Sequence, residues 1–96
     1  MLDSRRIKSS ALRRYAKRGD PSRINPKWLE KVRQILGALH AAVSPQDLDM
    51  PGFGFHELGR PRKGTYAVSV TRNWRITFKW DDAGPLEVDL EDYHGD

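Results

Sequence analysis

The spacing of apolar residues changes partway along the chain, and this change most constrains the fold. From about residue 65 onward, apolar and polar residues alternate in three segments, "TYAVSVT", "NWRITFKW" and "LEVDLEDYH". Such alternation predicts half-buried antiparallel strands. Arg72 with Asn73, and the segment "DDAG", supply turn residues between them. We therefore expect a meander of three strands, with Leu86, Val88 and Leu90 alternating with acids in the last one.

Before residue 45 the apolar residues recur at intervals of three and four, which is typical of amphipathic helices. The segment "SSALRRYAKRGD" begins with serine, a favourable cap, and stops at Gly19, which suits a helix end. A longer helix is predicted to begin at Asn25 and Pro26. Ser44 and Pro45 are expected to stop it. Its apolar face carries Trp28, Val32, Ile35, Leu36 and Leu39.

Between the helices and the strands, the segment "SPQDLDMPGFGFHELG" is predicted to form a loop, because prolines and glycines interrupt it. Phe53, Phe55 and Leu58 are expected to pack this loop onto the core. Two helices followed by a meander predict an α+β fold, with the helices on one face of a small antiparallel sheet. We expect one domain over residues 1–96, and residues 4–8 are a candidate for a short N-terminal strand.

Positive charge is concentrated in the first part of the chain. The first 35 residues contain eleven Lys and Arg against three acids, whereas the remainder contains six against ten. A basic half indicates an anionic partner, of which nucleic acid is the most common. A solvated helix face or a docking surface for an acidic protein gives the same pattern, so charge alone does not decide among these.

The composition excludes several kinds of site. There is no cysteine, which excludes disulfides and thiolate metal sites. The histidines His40, His56 and His94 do not have metal-ligand spacing, and we expect neither a metal nor another cofactor. There is no apolar run of about 18 residues and no apolar signal segment. We therefore expect a cytoplasmic protein with no membrane contact.

The last predicted strand ends in three reactive side chains, Asp92, Tyr93 and His94. If the hairpin closes through "DDAG", Arg75 comes to lie opposite residues 91–93. This group can hold a phosphate, move a proton near neutral pH and stack on a base. A cross-strand ion pair and a core tyrosine are the simpler interpretation of the same residues.

Strict alternation divides these terminal side chains between the two faces of the sheet. Tyr93 shares a face with Glu91, whereas Asp92 and His94 share a face with Leu90. A bend or bulge at the strand end would be needed to bring the three together.

Two segments, "VSVTRNWRITFKW" and the terminal "VDLEDYH", resemble the HigB branch of the RelE/ParE superfamily of bacterial toxins, also described as plasmid maintenance killer proteins. The resemblance extends from about Ala11 to His94 and includes the long helix and a basic loop before Gly64. It implies an α+β ribonuclease that binds in the ribosomal A site and cuts mRNA during translation. It also implies a HigA-type helix-turn-helix antitoxin, with operator DNA bound only through the toxin–antitoxin complex. The basic part of the chain is then expected to contact ribosomal RNA.

The resemblance assigns catalytic roles to Arg75, Asp92, Tyr93 and His94. The implied reaction needs no metal: the ribose 2′-OH attacks the adjacent phosphate and leaves a 2′,3′-cyclic phosphate and a 5′-OH. Arg75 would hold the phosphate oxygens, Asp92 and His94 would transfer protons, and Tyr93 would orient a base. The candidate substrate-binding residues are basic: Arg60, Arg62, Lys63, Arg72 and Lys79.

One position departs from the family pattern. Many HigB toxins have "HPLKG" with a catalytically important lysine, whereas this chain has "HELGRPRKG" with Gly59 at the lysine position. Arg60, Arg62 or Lys63 is expected to supply the cation instead. Two other functions stay open: a ParE-like gyrase poison without nuclease activity, and a degenerate toxin kept as an antitoxin-binding co-repressor. The terminal Asp-Tyr-His set argues against the first, and Gly59 favours the second.

Overall fold

A computed structural model describes residues 2–92. It contains two helices and four strands, and the strands form one antiparallel sheet in chain order. The predicted α+β fold is therefore confirmed. Among the described residues, no helix is both long enough and apolar enough to cross a membrane. The elements are α1 (Ser10–Arg18), α2 (Leu29–Ala41), β1 (His56–Glu57), β2 (Tyr66–Ser69), β3 (Trp74–Asp81) and β4 (Gly84–Asp92).

The first helix has the ends that its sequence predicts. The Ser9 hydroxyl accepts a hydrogen bond from the Leu12 N–H at 3.2 Å, so it caps the first turn. Gly19 ends the helix with φ of 68°, and its N–H donates to the Tyr15 carbonyl at 2.8 Å. Leu12 is the buried residue of this helix. The remaining surface of α1 is mostly basic and exposed, which leaves its charge available to a partner.

The second helix has the predicted cap at Asn25, but its α-helical part begins later and ends earlier than predicted. The Asn25 side chain accepts from the Lys27 N–H at 2.9 Å, and the short 3-10 turn Pro26–Trp28 leads into α2. The helix stops at Ala41. Pro45 then opens a further 3-10 turn, Pro45–Leu48, inside the segment predicted to be a plain loop. Leu48 at the end of this turn is fully buried, so the turn contributes to the core.

The helices cover one face of the sheet, as predicted. The ring centroids of Trp28 and Trp74 lie 5.1 Å apart and join the start of the helical layer to β3. Phe78 is fully buried between the rings of Tyr66 and Trp80, at centroid distances of 5.7 and 6.3 Å. The rest of the core comes from the apolar face of α2 and the inward positions of the strands: Val32, Ile35, Leu36, Leu39, Val68, Ile76 and Val88.

The predicted loop after α2 also contains a short strand, β1, which pairs with β2 through His56 and Ala67. Its two residues are too few to show a periodic pattern. Phe53 is buried, as expected. Leu58 is buried too, but it lies outside the main core cluster and donates its N–H to the Thr65 carbonyl at 2.8 Å. Leu58 is nonetheless one of the buried apolar residues of the core, and Phe55 packs against the core cluster, so the expectation that this loop packs onto the core is confirmed.

A bulge in β4 shifts the alternation by one residue. The pairing of β3 with β4 changes register between Thr77 and Lys79, and Glu87 takes φ of 49°. Val88 and Leu90 pack in or against the core. Leu86 instead pairs with the exposed Lys79, outside the core cluster. The prediction that a single alternation runs through Leu86, Val88 and Leu90 is therefore wrong at its first position.

The candidate N-terminal strand is reduced to one residue. Ser4–Arg6 forms a 3-10 turn, and Ile7 makes an isolated parallel bridge with Val88. The N–H groups of Lys8 and Ser9 donate to the Val88 carbonyl at 2.6 and 3.2 Å. The segment is thereby held against the outer edge of β4.

Candidate functional site

The face of the sheet opposite the helices carries a charged cleft of about 420 Å³. Its floor comes from β3 and β4, and one wall comes from the segment between β1 and β2. Four basic side chains and three acidic ones line it, so it is highly charged but nearly balanced. The lining residues of this charged cleft are Lys8, Pro61, Arg62, Lys63, Thr65, Lys79, Glu87, Asp89 and Glu91.

Glu91 is the most strongly held acid in the charged cleft. Arg62 donates from Nη1 to Oε1 at 2.8 Å and from Nη2 to Oε2 at 2.7 Å, in a bidentate ion pair. The hydroxyl of Thr77, which is buried, donates to the same carboxylate. Hydrogen bonds from Arg62 and then Thr77, with the charge of Lys8, hold the pKa of Glu91 below its ordinary value against the opposing effect of burial.

Arg75 lies beside this group on β3. Its cross-strand partner is Glu91, so the prediction that Arg75 faces residues 91–93 is confirmed at Glu91. Its Nη1 donates to the carbonyls of Thr71 and Arg72 at 2.8 and 3.0 Å. The side chain is half-buried, and these bonds hold one side of the guanidinium against the turn between β2 and β3. Its position is therefore set by the fold.

Asp92 is the last described residue of β4. It pairs with Trp74, whose ring packs on Trp28 on the helix side of the sheet. The pairing therefore gives Asp92 the parity of Leu90, as the alternation predicts, and Arg75 the parity of Glu91. Tyr93 and His94, the other two predicted catalytic residues, lie outside the described residues. The catalytic group of four stays a prediction.

A family model described as the RelE-like toxin of the type II toxin–antitoxin system HigB matches residues 5–94. The chain belongs to this HigB-like toxin family. It is also similar to the endoribonuclease HigB of Proteus vulgaris, with 26% identity over 88 residues that cover 92% of this chain and 96% of the relative. The family expected from the terminal motifs is thus confirmed. As a toxin of a toxin–antitoxin system, the protein has an antitoxin as its partner.

The structure divides the predicted substrate-binding residues of this HigB-like toxin into two groups. Arg62, Lys63 and Lys79 line the charged cleft, where Lys79 Nζ lies 3.7 Å from Glu87 Oε2. Arg60 and Arg72 are exposed and are not among the cleft-lining residues. No described feature brings these two to the cleft, so their substrate-binding role stays a prediction.

The sequence assigned no role to Glu91 and did not predict its contacts with Arg62 and Thr77. An acid at the centre of a surface expected to bind RNA contradicts simple charge complementarity. The signal that points to Glu91 is the hairpin register, which sets it against Arg75. The contact with Arg62 depends instead on the path of the segment between β1 and β2.

Gly59, at the position of the family lysine, lies at the start of this segment. Its carbonyl accepts from the Arg62 N–H at 2.9 Å. A Cβ atom built at Gly59 meets nothing within 4 Å. Its backbone conformation is not one that requires glycine, so a longer side chain fits at this position.

A second basic surface of the toxin lies along α1. It encloses about 200 Å³ and is lined by Ser10, Arg13, Arg14, Lys17, Arg18 and Arg23. We refer to it as the basic groove. Arg13 donates to the Ile7 carbonyl at 2.9 Å and Arg14 to Asp20 at 3.2 Å, so two of its cations also hold the fold. In the described part of the chain, no group of three or more acids, histidines or cysteines could hold a metal ion.

Proposed function

We propose that this HigB-like toxin is a metal-independent endoribonuclease that cuts mRNA on the ribosome. The observation that carries the proposal is the pairing of β3 with β4, which sets Arg75 against Glu91, immediately before the Asp-Tyr-His end of the chain. The name of the relative from Proteus vulgaris, an endoribonuclease, supports the same activity.

In this mechanism the RNA supplies its own nucleophile. The 2′-oxygen of the ribose attacks the adjacent phosphorus as it loses its proton to a base. The bond to the 5′-oxygen breaks, and that oxygen takes a proton and leaves as a 5′-OH, with a 2′,3′-cyclic phosphate on the other fragment. Arg75 stabilises the charge on the non-bridging oxygens, as its guanidinium is held by the backbone carbonyls of the β2–β3 turn. Asp92 and His94 move the protons, and Tyr93 orients a base.

Additional positive charge comes from the charged cleft, which supplies the cations that the glycine at position 59 does not. Arg62, Lys63 and Lys79 are the substrate-binding candidates that line it, together with Lys8. Arg62 is the best-ordered of these, because two hydrogen bonds to Glu91 fix its guanidinium. We therefore assign to Arg62 the supply of positive charge beside the reaction centre.

The proposed partners come from the family resemblance and, for ribosomal RNA, from the charge of the basic groove. The basic groove contacts ribosomal RNA, because its cations, four on α1 and Arg23 after it, form a concave surface. A HigA-type helix-turn-helix antitoxin neutralises the toxin, and operator DNA is bound only through their complex. Ribosomes and mRNA are the targets, so the proposed location is the cytoplasm.

The test is inducible expression in a bacterium, with primer extension on a translated mRNA. Wild type should arrest growth and produce cuts that depend on translation. Arg75→Ala and His94→Ala should lower cleavage by about 100-fold or more. Arg33→Ala is the matched control, because Arg33 is an exposed, ion-paired arginine on α2 and should keep activity.

Intact mRNA in cells that contain folded wild-type protein would refute the proposal. Cells that nevertheless die, with inhibited DNA supercoiling, would indicate a gyrase poison. Cells that grow, while the protein binds its antitoxin tightly, would indicate the degenerate binding module. Thermal denaturation of each variant separates loss of chemistry from loss of fold.

A further inference from the structure

The charged cleft contains a fully built anion site. Three donors converge on the carboxylate of Glu91: both terminal nitrogens of Arg62 and the hydroxyl of Thr77. Thr77 is buried with 1% exposure, and the side chain of Glu91 is 24% exposed. Lys8 lines the same cleft and also favours the ionised carboxylate. The anion that these groups bind in the free protein is a part of the protein itself.

An acid in this position needs an explanation if the cleft binds RNA. Glu87, Asp89 and Glu91 all line it from β4, and each repels a polyanion. The carboxylate of Glu91 resembles a phosphodiester in one respect, since each presents two oxygens on one central atom. A guanidinium binds both groups in the same bidentate geometry. Glu91 therefore has the chemistry of an internal substitute for a phosphate.

We propose that Arg62 and Thr77 form a phosphate-binding subsite for RNA, which Glu91 fills in the free protein and leaves when RNA binds. The proposal depends on the proposed function only in taking RNA as the ligand. Because Glu91 is the cross-strand partner of Arg75, the subsite adjoins the candidate reaction centre and takes a phosphate next to the one that reacts. Glu91 is thus an affinity-determining residue, and its ion pair with Arg62 weakens RNA binding.

The test is binding of a fluorescent 2′-O-methyl RNA oligonucleotide, which lacks the 2′-OH and is not cut. Glu91→Gln keeps the shape of the side chain and removes its charge. It should bind about 5-fold more tightly than wild type, because RNA no longer competes with a half-exposed ion pair. The slope of log affinity against log salt should differ from that of wild type by less than about 0.7, the contribution of one phosphate contact on a single strand, because both proteins make the same phosphate contacts once RNA is bound.

Two further variants separate this effect from a general change of charge. Glu30→Gln is the matched control: Glu30 accepts from Arg33 at 3.2 and 2.6 Å on α2, away from the cleft-lining residues, and its removal should leave binding within about 2-fold. Glu91→Asp keeps the charge but shortens the side chain. It should also bind RNA more tightly than wild type, and it provides a second test of the subsite if Glu91→Gln folds poorly.

The partner residue supplies the decisive comparison. In a protein that carries Arg62→Gln, the further substitution Glu91→Gln should not increase the affinity for RNA, because the cation that the loss of Glu91 would release is absent. A gain that persists without Arg62, or binding by Glu91→Gln that equals or falls below that of Glu30→Gln, would overturn the subsite. So would the absence of binding by every variant at low salt. None of these results depends on cleavage, so the primer-extension experiment tests the nuclease proposal separately.

Discussion

The basic groove allows a quantitative prediction about ribosome binding. Lys17 and Arg18 lie exposed in the last turn of α1 and line the groove. We expect Lys17→Gln with Arg18→Gln to weaken binding to ribosomal subunits, because the pair removes two cations without removing any contact of Arg13 or Arg14. Glutamine is a good helix former, so α1 should persist. Loss of favourable helix-dipole interactions should cost at most about 1 kcal/mol per residue.

The magnitude follows from counterion release. Each phosphate contact contributes about 0.7 to 0.9 to the slope of log affinity against log salt, so two lost contacts should make the slope shallower by about 1.4 to 1.8. Between about 50 and 200 mM salt, the variant should therefore lose roughly 10-fold less affinity than wild type. At low salt, where counterion release is strongest, the difference between the two proteins should be largest.

The assay is sedimentation or fluorescence anisotropy with purified ribosomal subunits over a series of salt concentrations. Lys27→Gln with Arg33→Gln is the control, since it removes one exposed lysine and one exposed arginine that do not line the groove. Its slope should match that of wild type. An unchanged slope in the groove variant, or an equal change in both, would refute the assignment of the basic groove to ribosomal RNA.

Three further predictions concern the site and the core. Gly59→Lys should raise mRNA cleavage by about 10-fold in the primer-extension assay, because a Cβ fits at this position and the added cation restores the family pattern; an unchanged rate would show that Arg62 already suffices. Phe78→Ala should lower the free energy of unfolding in urea by about 3 to 5 kcal/mol, whereas Val43→Ala at an 85% exposed position should change it by less than about 0.5 kcal/mol. Glu91 has a lowered pKa in the folded state, so its ionised form stabilises the protein above the unfolded pKa, and this stabilisation is lost as the pH falls through the folded pKa. The stabilities of wild type and Glu91→Gln should therefore converge on acidification from about pH 6 to 3, and a constant difference would contradict the ion pair.

The parts of the fold that were predictable are those with local causes. Ser9 and Gly19 bound α1 because capping and a left-handed residue are properties of short segments. Alternation located β3 for the same reason, with Ile76 and Phe78 facing the core. The two-residue strand β1 could not be predicted, because its pairing with β2 is tertiary and leaves no period in the sequence.

The candidate site shows the same division. The hairpin between β3 and β4 is a local structure, so its turn brings Arg75 to the end of β4. Counting back from the pair of Asp81 and Gly84 sets Arg75 opposite Leu90, and the bulge in β4 shifts its partner to Glu91. The ion pair with Arg62 joins residues 29 positions apart and depends on how the segment between β1 and β2 crosses the sheet. The distribution of charge along the sequence does not predict the path of that segment. The roles of Tyr93 and His94 rest on the family resemblance alone.

The bulge at Glu87 resolves a conflict between the turn and the core. The two-residue turn pairs Asp81 with Gly84 and Lys79 with Leu86, and a regular continuation of this pairing would turn Val88 and Leu90 away from the helices. Burial of those two side chains requires the register in which Thr77 pairs with Asp89. The extra residue reconciles the two at the cost of a positive φ at Glu87, about 1 kcal/mol for a residue with a side chain.

If the bulge only reconciles the turn with the core, β4 should tolerate the deletion of Glu87 but not that of Asp89. Deletion of Glu87 should preserve the pairing of Lys79 with Leu86 next to the turn and that of Thr77 with Asp89 beyond it, and should join the two without a bulge. The free energy of unfolding should therefore change by no more than about 1 kcal/mol. Deletion of Asp89 should instead exchange the faces of Leu90 and Glu91, which removes an apolar contact and buries the carboxylate. Circular dichroism during thermal unfolding distinguishes them. Equal destabilisation by the two deletions would show that the bulge has a structural role of its own, and would refute the view that it only reconciles turn and core.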